Sequence, residues 1–373
     1  MSTDPRTWRN ETLLAPLTRG GTLPFRRLCV ELGARITCGE MAYAREVNRG
    51  SPKEWALLQH HDSESCFGAQ LAGSSAARLI QATQTAAEQG ATYVDLNCGC
   101  PIHDTTRRGL GARLLQKPPK LARLLQMFVD GSPLPVTIKI RLGWETDQPT
   151  AREIARIAEE AGVTALTLHG RSRNQRYSKP ADYAVIREIA AERSIPVIGN
   201  GDVLTWYEAE ARREGLSNLM VARGALIKPW IFREIAEGRE LCLTATERLE
   251  LYLRLARYYR EHLGEGDRGQ RRAWYFLPWH FKFFHRYRPL PAADWAERAA
   301  EYPLMQTRMP SDVPDDPLEA LLQSKDEAVH EALAQILWTH SAGTLSDALP
   351  ALQALAEAPP ASGHPATEPS PAG

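Results

Sequence analysis

The sequence predicts an α/β fold, a (β/α)8 TIM barrel followed by a smaller all-α domain, on three observations. Short apolar, β-branched runs alternate with helix-period segments through the first 235 residues. Eight such units fit a closed parallel barrel better than an open sheet, and no Gly-x-Gly-x-x-Gly follows the first run, as a doubly wound dinucleotide fold would require. The C-terminal end of every run is polar or glycine-rich, which is where such barrels carry their chemistry.

Taken in order, the strands are expected at 13–16, 35–39, 67–71, 93–96, 136–140, 165–168, 196–198 and 218–221. Helix-period segments lie between them at 76–89, 119–129, 151–161, 183–191 and 206–213, and Gly90, Gly162 and Gly215 stand where helix C-termini favour glycine. From Thr244 the rhythm ends. Residues 246–263 form an amphipathic helix with Leu249, Leu253, Ala256 and Tyr259 on one face, and a closing helix is expected at 318–338. Beyond Ala358, Pro, Ala, Ser and Gly dominate and disorder is expected. The expected division is therefore a catalytic barrel at 1–243, a helical domain at 244–357 and a tail at 358–373.

The chain of 373 residues carries 45 basic and 45 acidic side chains, so any nucleic-acid surface must be a local patch rather than a global field. No run approaches the roughly 20 apolar residues of a membrane span, and the N-terminus lacks the apolar segment of a secretory signal. A cytoplasmic monomer without a membrane partner is the expectation. The six cysteines contain no Cys-x-x-Cys and no zinc-finger spacing, so no metal is expected. Cys29, Cys66 and Cys242 read as small buried hydrophobes, whereas Cys98 and Cys100, two apart, admit a redox pair.

The most informative stretch is Asp95-Leu-Asn97-Cys-Gly-Cys100-Pro101, followed by Arg107-Arg108-Gly-Leu-Gly-Ala112. It ends a buried strand on an Asn and places a thiol before a proline, whose ring restricts both its own φ and the preceding residue. The glycine-spaced basic stretch reads as a mobile cover over that thiol. Other strand ends supply Pro16-Leu17-Thr18, Glu40, Gln70, Lys139 with Arg141, His169 with Arg171, Asn200-Gly201-Asp202 and Ala222-Arg223-Gly224. Any one of these is as well explained by a satisfied structural residue, but eight in register argue for a site. The last two offer backbone N–H groups in glycine-permitted turns beside Arg223, either as tight turns or as a phosphate site. Lys139, projecting toward the same mouth, suits the negative charge of a reduced flavin. Phosphate at one end and a cation at the centre favour FMN over a dinucleotide.

These motifs resemble the tRNA-dihydrouridine synthases, FMN-dependent enzymes. The likeness rests on Asn97-Cys-Gly-Cys-Pro101, Lys139-Ile-Arg141-Leu-Gly143, His169-Gly-Arg171 through Tyr177, Gly199-Asn-Gly-Asp202 and Ala222-Arg223-Gly-Ala with Pro229-Trp230, and it covers residues 12 to 290. Leu14-Ala-Pro-Leu-Thr18, Thr37-Cys-Gly-Glu-Met41 and Glu54-Trp-Ala-Leu-Leu58 are similar to the branch acting on the variable loop, position 47 of tRNA. The chain departs in Leu17, where most of the family has methionine, and in lacking the cysteine-rich zinc-finger extension of eukaryotic members. The resemblance implies that NADPH reduces FMN, that the flavin delivers hydride to uracil C6, and that Cys100 donates the proton to C5. It implies FMN contacts from Pro16, Leu17, Thr18, Gln70, Lys139, His169, Asn200, Gly201, Asp202, Ala222 and Arg223. Asn97 would orient uracil or flavin, and Arg141, Arg107 and Arg108 would serve the substrate. Arg171 and Tyr177 would contact RNA, or Tyr177 would pack the loop.

Between Glu250 and Leu290 nine Lys/Arg face four Asp/Glu among many aromatics. This suits RNA contact by Arg271, Arg272, Lys282 and Arg286, although the same pattern describes a helix packing its aromatics inward. A tRNA substrate is expected, with rRNA as an alternative. A small-molecule FMN barrel oxidoreductase and a non-catalytic RNA-binding factor are the competing readings. The basic, aromatic helices argue against the first and the intact Cys100 against the second.

Overall fold

The computed structural model describes residues 2–175, 177, 179–308 and 314–357. Among the described residues nine parallel strands follow one another: β1 (Thr12–Leu14), β2 (Ile36–Cys38), β3 (Ala42–Tyr43), β4 (Phe67–Ala72), β5 (Tyr93–Cys98), β6 (Val136–Arg141), β7 (Ala165–His169), β8 (Val197–Asn200) and β9 (Asn218–Val221). The sheet runs β2-β1-β9-β8-β7-β6-β5-β4, and a further β2–β4 pairing closes it into an eight-stranded barrel. β3 hangs on the end of β4 through Ala42–Leu71 and Tyr43–Ala72. Because both faces of these strands are covered, they read as nearly continuous apolar runs, and all eight expected strands form.

Trp8 plugs the bottom of the barrel, packed edge-on against Tyr93 at 5.1 Å and clustered with Leu13, Ile36, Ala165, Ile198 and Met220. Asn218 donates to the Trp8 carbonyl at 3.1 Å, tying this plug to β9. The opposite, C-terminal end of the strands is therefore the open one, where polar side chains gather.

The first compact unit comprises residues 2–242 and also 288–308, a segment expected in the helical part. Its return is fastened by Tyr207 donating to the Leu290 carbonyl at 3.1 Å and by the Leu304 N–H donating to Glu208 at 3.0 Å. The second unit, residues 243–287 with 314–357, is helical. Its 19-residue helix Ala245–Leu263 starts on a Thr244/Glu247 capping box and stacks Tyr252 on Phe284 at 4.1 Å. The single helix expected at 318–338 is instead two, Pro317–Leu322 and Glu327–Thr339. Asp326 accepts from the Ala328 N–H and so starts a new helix where a continuous one would have run. The expected tail lies outside the described residues. No helix among those described is long and apolar enough to cross a membrane.

Candidate active site

Alternation along the strands decides which side chains meet. Thr137, Lys139 and Arg141 share one face of β6, and register sets Asn97 beside Lys139, Arg141 beside His169 and His169 beside Asn200. These residues therefore line the upper part of one face across four neighbouring strands.

Asn97 closes β5 and organises the thiol. Its Oδ1 accepts the backbone N–H of Gly99 at 3.2 Å and of Cys100 at 2.9 Å. Its Nδ2 donates to Gln70 at 2.8 Å, and Gln70 donates to the buried Asp95 at 2.8 Å, which also accepts from Thr137 at 2.7 Å. Both Asn97 and Gln70 thus use their amides inside the protein to hold the cysteine turn. Burial raises the Asp95 carboxyl despite these donors.

Cys100 is half-buried, with its thiol 3.7 Å from the Thr105 hydroxyl, which in turn lies 2.9 Å from the Tyr43 hydroxyl. The stretch expected to be a mobile cover is folded: helix His103–Arg107 is followed by a 3-10 turn at Gly111–Gln116, and the Ala112 N–H donates to the Cys100 carbonyl at 3.0 Å. Gly111 has φ +59°, and a Cβ there would sit 2.7 Å from that same carbonyl. Arg107 and Arg108 are exposed, with Arg107 in a surface pair with Asp104. Cys98 is fully buried, where burial pushes its thiol far up; all six cysteines are free, so Cys98 and Cys100 are not bonded to each other, and Cys242 is exposed rather than buried.

The Lys139 ammonium has no hydrogen bond or ion pair among the described residues. Burial, and then Arg141, lower its ammonium from an ordinary value of 10.5 to about 8, against the pull of Asp95. His169 is held neutral, well below its usual range, by burial and by Arg141, Lys139, Arg171 and Arg223. Arg171 lies 3.3 Å from His169 Nε2 and can only donate, so Nε2 accepts and Nδ1 carries the proton. Glu40, at the end of β2, accepts the Arg19 N–H at 3.0 Å, and burial raises its carboxyl to about 6. Glu40 was visible as a strand-end carboxylate, but nothing in the sequence gave it a role.

Four of the residues expected to contact ligand also brace the protein itself. Arg141 donates to the carbonyls of Gly99 at 2.9 Å and Ser172 at 3.0 Å, tying the cysteine turn to the loop after β7. Arg171, expected to touch RNA, is fully buried and donates to Asp202 at 2.5 Å and to the Lys179 carbonyl at 2.7 Å. The Asp202 carboxylate is enclosed by protein, also accepting from Ala181 N–H at 2.8 Å and Gln306 at 3.1 Å. Asn200 likewise donates to the Met220 carbonyl at 2.8 Å. At this corner the backbone is what remains open. Gly201 has φ +134°, and Gly224 brings the loop after β9 so near that a Cβ would lie 2.1 Å from the Val203 carbonyl. Arg223 stays 23% exposed and stacks on Tyr177 at 3.9 Å. Tyr177 is itself exposed, so it both packs its loop and faces outward. Pro16 and Leu17 are half-buried and Thr18 exposed at the end of β1.

In the helical unit Arg271, Arg272 and Arg286 are exposed, and Lys282 is exposed but paired with Glu327. Phe281, Phe284 and Tyr287 are core, as the inward-packing reading has it, whereas Tyr275 is 54% exposed. No group of three or more His, Cys, Asp or Glu suited to a metal occurs among the described residues.

Comparison with known proteins gives this geometry a family. A solved histamine dehydrogenase from Rhizobium sp. 4-9 shares the barrel, with TM-score 0.51 at 13% identity over 69% of this chain and 50% of that one. A Cryptococcus neoformans protein named tRNA-dihydrouridine(47) synthase is 43% identical over 303 residues, 76% of this chain and 42% of its own length. One of the same name from Coprinopsis cinerea is 39% identical over 86% of this chain and 49% of its own length. A human protein named as like that synthase is 36% identical over 88% and 50%. The chain spans about half the length of the curated relatives it matches. The family described as dihydrouridine synthase (Dus) matches residues 13–291. The chain belongs to the dihydrouridine synthase family.

Proposed function

We propose that this chain acts as a tRNA-dihydrouridine synthase, using FMN and NADPH to convert a uridine of the tRNA variable loop, position 47, into 5,6-dihydrouridine. The observation that carries the reading is a thiol fixed through Asn97 at the barrel mouth it shares with Lys139 and the neutral His169. The residues fit a flavin mononucleotide. Lys139 offers an uncommitted cation for the ring system, and His169 Nδ1–H is a donor that burial keeps neutral. The backbone turns at Gly201 and Arg223–Gly224, with the Arg223 guanidinium, would hold the phosphate.

When bound, reduced FMN supplies the hydride that uracil C6 accepts. Cys100 Sγ–H then gives its proton to C5, completing saturation of the 5,6 bond. Asn97 keeps the Cys100 backbone from drifting by accepting its N–H, and Arg141 anchors the preceding carbonyl, that of Gly99, so the thiol approaches from one direction only. A uridine inside a folded RNA must be turned out of its stack to reach this depth.

Dihydrouridine mapping across all tRNA and rRNA, in cells with and without the gene, tests the proposal. Loss at the variable-loop uridine of tRNA supports it. Loss confined to rRNA would overturn the substrate, and unchanged maps in cells lacking a second such enzyme would overturn the activity.

A further inference from the structure

A basic track runs beside the cysteine turn on the barrel unit, built, apart from Arg108, from residues other than those from which the sequence expected RNA contacts. One cavity of about 380 Å³ is lined by Arg45, Arg49, Arg78 and Arg108, with Glu46 as its only carboxylate. Glu46 is taken by Arg49 at 3.4 Å and Arg45 at 3.8 Å. Arg78 and Arg108 form no ion pair among the described residues, and the Arg108 guanidinium lies over the Tyr43 ring, 4.8 Å from its centroid. A second cavity of about 390 Å³ is lined by Arg113, Lys117, Lys120 and Arg123, with no carboxylate in its wall. All four are exposed, and none has an ion pair among the described residues. The two cavities share Ser74 and Ser75, so they are one continuous groove passing over the start of helix Ala76–Glu88.

Eight cations against one carboxylate, on a chain whose charges cancel overall, is a local field of the kind that only a polyanion fully uses. We infer that this groove holds several consecutive phosphates of the substrate RNA's backbone. The placement fits the chemistry. Arg108 follows the helix that carries Thr105, the hydroxyl neighbour of Cys100, so a strand laid along the groove passes the thiol. A dinucleotide, with two or three phosphates, would engage only one end. The aromatic Tyr43 and the shared serines add a stacking face and hydroxyl donors, as single-stranded nucleic-acid grooves do.

This inference rests on the RNA reading above, and the test separates the two. Binding of an unmodified tRNA transcript is measured against salt concentration for the FMN-loaded chain and for Lys117→Ala/Lys120→Ala/Arg123→Ala, with Arg152→Ala/Arg156→Ala on another helix as control. Each lost phosphate contact should reduce the slope of log affinity against log salt by roughly 0.7–0.9, so the triple variant should lose about 2–3 units of slope. Its affinity should fall by roughly 10–100-fold at low salt while flavin content and the control stay at wild-type levels. Wild-type slope and affinity in the triple variant, with the wild type binding tRNA, would overturn the groove and leave the proposed activity standing. A raised KM for NADPH with tRNA binding unchanged would also overturn it. Failure of the wild type itself to bind tRNA would instead remove the RNA reading.

Discussion

Cys100 depends on Asn97 for its placement. Asn97 spends its carbonyl on two N–H groups of the cysteine turn, so Asn97→Leu should leave Cys100 present but loosely placed. A displacement of about 1 Å is worth roughly 10²-fold in rate, and the loss should appear in kcat with flavin content largely kept. Cys100→Ala removes the acid itself and should lower turnover by roughly 10²–10⁴-fold without weakening tRNA binding. Lys139 sets a pH dependence. Its folded-state value of about 8 lies below the ordinary 10.5, so in the flavin-free protein the unfolded chain binds more protons between those values. Stability therefore gains from this group as pH rises through that window. FMN affinity moves the other way, falling as pH rises through about 8 and the cation discharges. Titrating FMN binding from pH 7 to 9 checks this; Lys139→Met should bind more weakly and show no such step. At this scale the sequence was only half legible. Strand-end position marked Gln70, Asn200 and Asp202 as polar and inward, but not that protein partners consume their side chains. Asp202 meets Gln306, 104 residues away, and no local pattern announces such a pair.

Elements explain why the strands were readable and the links between them less so. Strands buried on both faces are apolar throughout, so even three-residue β1 and β2 stand out once their neighbours set the rhythm. Helix Leu23–Glu31 escaped because its inward face includes Arg26, fully buried against Glu64 at 2.8 Å, which breaks the apolar stripe. β3 is only two residues long and has no period to detect. The loops after β8 and β9 are held by close contacts that make sharp predictions. Asp202→Ala would strand the fully buried Arg171 guanidinium and should destabilise the fold by about 3–5 kcal/mol, read as a lower denaturant midpoint with unchanged slope. Gly224→Ala pushes a methyl group into the Val203 carbonyl and should cost about 1–3 kcal/mol together with much of the FMN affinity. Wild-type stability in both would show that this corner is not the brace described.

For the whole molecule, a barrel plugged at one end by Trp8 leaves the other end for chemistry, and there the thiol, the lysine and the glycine turns after β8 and β9 lie. The class of fold was legible because eight units repeat, and the family because its motifs recur in order along them. The division between units was less so, since residues 288–308 return to the barrel unit through hydrogen bonds rather than through any change in composition. The central claim is that Cys100 protonates a uracil of tRNA at this mouth. Its most direct test is a single turnover of the chain, loaded with FMN and reduced by NADPH, on an unmodified tRNA transcript, with dihydrouridine quantified by position. The account predicts product at the variable-loop uridine for wild type, and for Cys100→Ala normal flavin reduction and tRNA binding but almost no product. Equal product from Cys100→Ala would contradict it.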